Sequence, residues 1–101
     1  MKAAVIAVFA LLAGCEAALI KNMDRGLQAF VGKDIHSAIT VLGEPNRQQA
    51  IAGDTVYTWE RAIGDDHCTL HIVADSENRV MRSDWNGAHK VCDLYDDMLN
   101  P

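Results

Sequence analysis

Four histidines are the first residues whose type suggests chemistry, because neutral imidazole is a common ligand of transition metals. His67 and His71 are four positions apart, a spacing that brings two ligands together on one face of a helix. The residues around them predict a strand instead, on which the same spacing separates the two side chains by about 13 Å. Zinc ligands lie about 2 Å from the ion. We therefore interpret His67 and His71, like His36 and His89, as surface residues and predict no metal site.

Acidic and nucleophilic residues indicate no catalytic centre. Asp93, Asp96 and Asp97 fall on one face of a predicted C-terminal helix, which we interpret as a solvated acidic face rather than as a weak cation site. The segment 75–78 lacks the length and the glycine of a calcium loop and predicts a hairpin turn. The sequence shows neither a nucleophile motif beside a base nor a glycine-rich phosphate loop. It predicts a protein that is not an enzyme and uses no dissociable cofactor.

Three aromatic residues are the candidates for binding another protein. Tyr57 and Trp59 lie on the same face of a predicted strand, and Trp85 ends a later one. One interpretation places them in the core. The other makes them an exposed aromatic patch, since aromatic residues are frequent anchors of protein interfaces. Arg61 and Arg82 would then lie at the rim of that patch.

The N-terminal segment predicts export. Lys2 precedes an uncharged, apolar run over residues 3–14, the order found in signal peptides. The run is shorter than the roughly 20 residues that a membrane-spanning helix needs. It ends in Leu12-Ala13-Gly14-Cys15, which resembles the lipobox of bacterial lipoproteins. The resemblance implies a diacylglycerol thioether on Cys15, cleavage before that residue and an N-acyl chain such as palmitate on the new amine. An ordinary secretory signal with an incidental cysteine is the alternative.

The cysteine count and the charge fit this interpretation. The chain has three cysteines, so a lipid on Cys15 leaves Cys68 and Cys92, which are expected to form a disulfide in an oxidising compartment. Two free thiols are the alternative. The formal net charge of −5 argues against nucleic acid and against attraction to anionic lipid. Membrane attachment is therefore expected through the acyl chains. Glu16 after the lipid cysteine, rather than Asp, favours the periplasmic face of the outer membrane over the inner membrane.

Hydrophobic periodicity predicts an α+β fold, with two N-terminal helices packed on a three- to four-stranded antiparallel meander and a short C-terminal helix. Helices are expected over residues 16–33, 35–42 and 90–99, and strands over 48–52, 55–60, 67–74 and 79–85. The second helix begins after Asp34, a good capping residue, and ends at Gly43 before Pro45. Its apolar face is expected to be Ile35, Ala38, Ile39 and Leu42. If a disulfide joins Cys68 and Cys92, the face of the third strand that carries Cys68 must be the inner one.

Residues 31–80 resemble the small outer-membrane lipoproteins of the BamE (SmpA/OmlA) family, whose fold is related to that of β-lactamase inhibitor proteins. The matching segments are Val31-Gly32-Lys33-Asp34, then Ala38, then Leu42-Gly43-Glu44-Pro45, which correspond to V-G-M-T, a small or β-branched residue, and L-G-x-P in the family. Tyr57-Thr58-Trp59 falls where the family has an aromatic pair. The expected organisation is a signal peptide (1–14), a lipid-anchored helix (15–33) and a BamE-like domain (34–101).

The resemblance implies a lipid-anchored periplasmic domain that binds an unidentified envelope protein, with a role in outer-membrane assembly or envelope integrity. The alternative is an inhibitor, immunity or exclusion lipoprotein that blocks a secreted enzyme, a toxin or a phage receptor. Both hypotheses expect a membrane contact through the lipid. Neither expects nucleic acid or a small-molecule substrate.

Overall fold

The computed structural model describes residues 22–101, so the expected signal peptide and Cys15 lie outside the described residues. Helix α1 is described over residues 22–28 and is followed by turns up to residue 33. The sequence predicted a helix as far as Lys33. Instead, the N–H of Phe30 bonds to the carbonyl of Leu27 and that of Lys33 to the carbonyl of Phe30, a spacing of three that tightens the chain beyond an α-helix. The positive φ of Gly32, 84°, completes the change of direction.

The described part of the chain then follows a helix–sheet–helix order. Its elements are α2 (Ile35–Leu42), β1 (Arg47–Ile51), β2 (Asp54–Ile63), β3 (Asp66–Ala74), β4 (Val80–Gly87) and α3 (His89–Leu99). The four strands form one antiparallel sheet in the order β1-β2-β3-β4. The predicted α+β class with an antiparallel meander is therefore confirmed.

Helix α2 has the boundaries that its capping residues predicted. The carboxylate of Asp34 accepts a hydrogen bond of 2.8 Å from the N–H of His36, which satisfies one of the free donors of the first turn. At the other end Gly43 has a φ of 86° and its N–H bonds to the carbonyl of Ile39, as glycine at a helix C-terminus commonly does. The helix buries Ile35, Ala38 and Leu42.

Short turns set the register of the sheet. Ala52 and Gly53 both have positive φ, 52° and 88°, as a two-residue type I′ hairpin requires. The β3–β4 turn is held by Asp75, whose carboxylate accepts from the N–H groups of Glu77 and Arg79. Because each strand is joined to the next by a short turn, neighbouring strands pair with one another along the chain.

One face of the sheet, here called the inner face, carries the core. The strands contribute Tyr57, Trp59, Cys68, Leu70, Ile72, Ala74 and Val80 to it, and the helical and turn segments contribute Met23, Leu27, Phe30, Ile35, Ala38, Leu42, Val91, Cys92 and Tyr95. Cys68 lies on this face, as the sequence predicted. Burial of the two apolar surfaces against each other is the main force that holds α3 and the sheet together.

Candidate functional site

The Cys68–Cys92 disulfide predicted from the sequence is present. It joins the start of β3 to α3, and the two Cα atoms lie 5.2 Å apart. Both cysteines are buried in the core. The bond therefore attaches the C-terminal helix to the inner face of the sheet and is not open to solvent.

Tyr57 and Trp59 are core residues and form no exposed patch. Their exposed fractions are 7% and 2%, because the register pairs Tyr57 with Ile72 and Trp59 with Leu70 on the inner face. The indole Nε1 of Trp59 donates to the carbonyl of Gly43 at 2.8 Å. The core interpretation therefore describes these two residues, and the Trp59 hydrogen bond joins β2 to the end of α2.

Trp85 and Arg61 are also occupied by contacts within the domain. Trp85 lies on the edge strand β4, where it is half-buried and its Nε1 donates to the carboxylate of Asp24 in α1 at 2.8 Å. The guanidinium of Arg61 lies 5.7 Å from the centre of the Tyr95 ring, a cation–π distance. Burial raises the pKa of Tyr95 above its usual 10.0, and the charge of Arg61 opposes that rise. The predicted rim around an aromatic patch is therefore not assembled from these residues.

The histidines lie at the surface, as predicted. His67 and His71 lie on the outer face of β3, with Thr69 between them, opposite Ala62 and Thr58 of β2. The Nδ1 atom of His71 lies 2.9 Å from the carboxylate of Asp84. Across residues 22–101 no group of three or more His, Cys, Asp or Glu side chains is placed to hold a metal ion.

The outer face of the sheet is the candidate functional surface. The register aligns Arg47, Thr58, His71 and Asp84 in one row across all four strands. In the described residues, the core helices pack on the opposite face. Thr58 is nevertheless buried. Arg47 forms an ion pair of 2.6 Å with Glu60, so the row is flanked by charges of both signs.

An open depression of about 430 Å³ continues this surface at one end. It is lined by Asn46, Glu60, Arg61, Ala62, His67 and Thr69. The amide oxygen of Asn46 accepts from the N–H of Glu60 at 2.7 Å, which fixes the loop before β1 along its wall. Sites for small molecules usually enclose most of the ligand, so this open depression is better suited to a side chain or loop of another protein.

Strand β1 is a second candidate surface, and sequence reasoning missed it. The strand forms one edge of the sheet, and all five of its residues, Arg47–Ile51, are exposed. A short strand was predicted there, but its position at the edge depends on the order in which the strands pair. The available signal was the polar run Gln48-Gln49, which is unusual for a strand enclosed by neighbours.

Comparisons with protein-family models, with curated proteins and with solved structures found no match. The resemblance of residues 31–80 to the BamE family therefore stays a prediction. Within residues 22–101 no helix is long and apolar enough to cross a membrane.

Proposed function

We propose that this protein is a lipid-anchored, non-enzymatic domain of the bacterial periplasm that binds another envelope protein through the outer face of its sheet. The observation that carries the proposal is the buried disulfide between Cys68 and Cys92. Structural disulfides persist in oxidising compartments such as the periplasm. The disulfide also accounts for two of the three cysteines, which leaves Cys15 of the lipobox-like segment for the lipid.

The anchor in this proposal is covalent rather than electrostatic. The chain carries a formal net charge of −5, so an anionic membrane surface would repel it. A single acyl chain binds membranes only weakly, whereas several chains on one residue hold firmly. The three acyl chains that the lipobox resemblance implies on Cys15 would therefore suffice. Glu16 and the likeness to the BamE family favour the outer membrane.

The outer face carries apolar side chains beside polar and charged ones, and this mixture supports its role as the binding surface. Non-obligate protein interfaces combine partly apolar centres with polar, solvent-exposed rims. Val73, near the end of β3, is buried on the outer face, and Val56 opposite it on β2 is half-buried. Arg82 and Asp84 on β4 are exposed at the margin. By the BamE resemblance, the proposed partner belongs to the outer-membrane assembly machinery.

The anchor is tested by the mass and lipid content of Cys15. The full chain is produced in a Gram-negative host fed an alkyne-labelled fatty acid, and the label is read on the purified protein. Label is expected in the wild type and in a Cys68→Ser/Cys92→Ser control, and is expected to be lost in Cys15→Ser. An intact Met1 or an unmodified thiol at Cys15 would contradict the proposal.

The partner is tested by site-specific photo-cross-linking in the intact envelope. A photoreactive amino acid replaces Asn86 on the outer face, and Asp97 on α3 is the matched exposed control. Cross-linking at Asn86 alone to a component of the β-barrel assembly machinery would support the assembly role. Cross-linking to a single secreted enzyme or toxin would instead favour the inhibitor alternative. Equal labelling at both positions would show that the outer face is not the binding surface.

A further inference from the structure

The two edges of the sheet differ in how well residues 22–101 cover them. At the start of β4, the N–H of Gly32 bonds to the carbonyl of Val80 and the N–H of Val80 to the carbonyl of Lys33, both at 2.8 Å. Asp34 extends this contact as an isolated bridge to Arg79. Strand β1 is exposed along its full length. Natural proteins usually protect such an edge with a lysine, a proline, a bulge or a covering segment, and residues 48–51 carry no charge and no proline.

The register of the β1–β2 hairpin identifies the backbone groups that face outward. Ile51 and Asp54 flank the two-residue turn and are paired, the position at which a type I′ hairpin closes with reciprocal hydrogen bonds. Hydrogen-bonded and non-hydrogen-bonded pairs alternate along an antiparallel ladder. Gln49 therefore also bonds inward to β2. The N–H and C=O groups of Gln48 and Ala50 consequently point away from the sheet.

We infer that β1 pairs antiparallel with β1 of a second copy of this chain, on a two-fold axis through Gln49, to form a continuous eight-stranded sheet. With the axis at Gln49, the middle residue of β1, Gln48 of each copy faces Ala50 of the other. Each of these two facing pairs exchanges two hydrogen bonds. The outward-facing backbone N–H and C=O groups of Gln48 and Ala50 are then hydrogen-bonded in both copies. The inference goes beyond the proposed function and does not depend on the lipid anchor.

The side chains suit pairing with an identical strand. Arg47 of one copy faces Ile51 of the other, so no like charges are opposed, a condition that favours strand pairing. Ile51 is 54% exposed in the single chain and would be partly covered by the aliphatic part of Arg47. Arg47 keeps its ion pair with Glu60, which lies on β2 of the same chain. The two Gln49 side chains meet at the axis, where the NH₂ group of one amide can donate a hydrogen bond to the carbonyl oxygen of the other.

The first test uses a cysteine on the axis of the full chain in the bacterial envelope. Residue 49 of both copies forms a non-hydrogen-bonded pair with Cα atoms about 4.5 Å apart, within the range that a disulfide spans. Gln49→Cys is therefore expected to give a disulfide-linked homodimer under oxidation. Ile63→Cys, at a position with 50% exposure beyond the end of the β1–β2 pairing, is the matched control and is expected to give little. The wild type shows how much disulfide-linked dimer forms through Cys15 when that residue carries no lipid. Dimer in the wild type therefore indicates failed lipidation, whereas absence of additional dimer in Gln49→Cys indicates that the strands do not pair.

The second test introduces a charge at residue 49 of each copy. Two differently tagged full-length copies are co-purified, and wild-type copies are expected to recover each other. Gln49→Lys in both copies, or Gln49→Glu in both, opposes like charges and is expected to weaken recovery by about fivefold. A mixture of the Lys and Glu variants is expected to restore it. Because Gln49 is exposed, thermal unfolding of each variant should match that of the wild type when both are measured at a concentration low enough to separate the copies, since association itself raises apparent stability.

Specific outcomes would overturn the inference. Equal disulfide dimer from Gln49→Cys and Ile63→Cys would show that the β1 edge does not pair with itself. A cross-link from Gln49→Cys to a protein of another mass would show that the edge receives a foreign strand. Loss of recovery in the mixture of Lys and Glu variants would exclude an axis at Gln49.

Discussion

The indole Nε1 of Trp59 donates a hydrogen bond of 2.8 Å to the carbonyl of Gly43, and so joins the interior of β2 to the end of α2. Gly43 also ends the helix, with its own N–H bonded to Ile39. One residue therefore receives a contact from the sheet and caps the helix. The Trp59 ring lies almost wholly within the core, so its hydrogen bond holds the C-terminal end of α2 at a fixed position beside β2.

Replacing Trp59 with Phe is expected to lower the free energy of unfolding by about 2–3 kcal/mol. The change removes the bond to Gly43, worth about 1 kcal/mol, and leaves a cavity where the larger ring was. Urea denaturation followed by circular dichroism measures the effect. Tyr57→Phe is the matched control, because it keeps the neighbouring ring and is expected to stay within about 0.5 kcal/mol of the wild type. Equal losses in the two variants would contradict a special role for the indole N–H.

Reduction of the Cys68–Cys92 bond is expected to destabilise the domain by about 3.5 kcal/mol on the chain-entropy estimate for its sequence separation of 24. The reason is that the disulfide restricts the unfolded chain. The urea midpoint of the wild type should fall when a reductant is added. A Cys68→Ala/Cys92→Ala variant should already show the lower midpoint and should not respond to the reductant. A response of the double variant would mean that the reductant acts elsewhere.

Gly87 should tolerate substitution much less than Gly53. Gly87 pairs with Cys68 across the sheet, and a Cβ there would run into the carbonyl of His67 and lie 2.7 Å from the Cα of Cys68. Its φ of 145° adds strain. Gly87→Ala is expected to cost about 3 kcal/mol. Gly53→Ala, which has a φ of 88° and open space around it, should cost about 1 kcal/mol. Thermal unfolding of both variants compares them, and similar losses would show that φ alone matters.

Local signals explain why some elements were predictable. The bounds of α2 follow from Asp34 and Gly43, whose capping interactions lie within the helix itself. The continuation of β2 to Ile63 depends on pairing with β3, in which Ile63 and Asp66 form the last pair. No pattern within β2 predicts that partner. The sequence therefore placed the strand correctly but ended it three residues early.

The side of the sheet on which an aromatic residue lies was harder to predict. Val56, Tyr57, Thr58 and Trp59 are all suited to strands, so alternation did not identify the buried side. Tyr57 and Trp59 became core because the helices cover that face. The exposed edge at β1 was missed for the same reason, since strand order is a property of the whole sheet. The disulfide was predictable because the prediction needed only the number of cysteines and the expectation of an oxidising compartment.

The acid sensitivity of α2 should depend on Asp34. The backbone N–H of His36, followed by the His36 ring, hydrogen-bonds the Asp34 carboxylate and holds its pKa below the usual 3.8. Since the folded-state pKa is depressed, the carboxylate stabilises the protein fully above pH 3.8, and this contribution is lost as the pH falls through the lower folded-state pKa. Asp34→Asn keeps a capping acceptor but cannot titrate, so the gap in thermal midpoint between wild type and variant should narrow on acidification. A direct NMR titration of the Asp34 carboxyl checks the cause, and a pKa at or above 3.8 would contradict it.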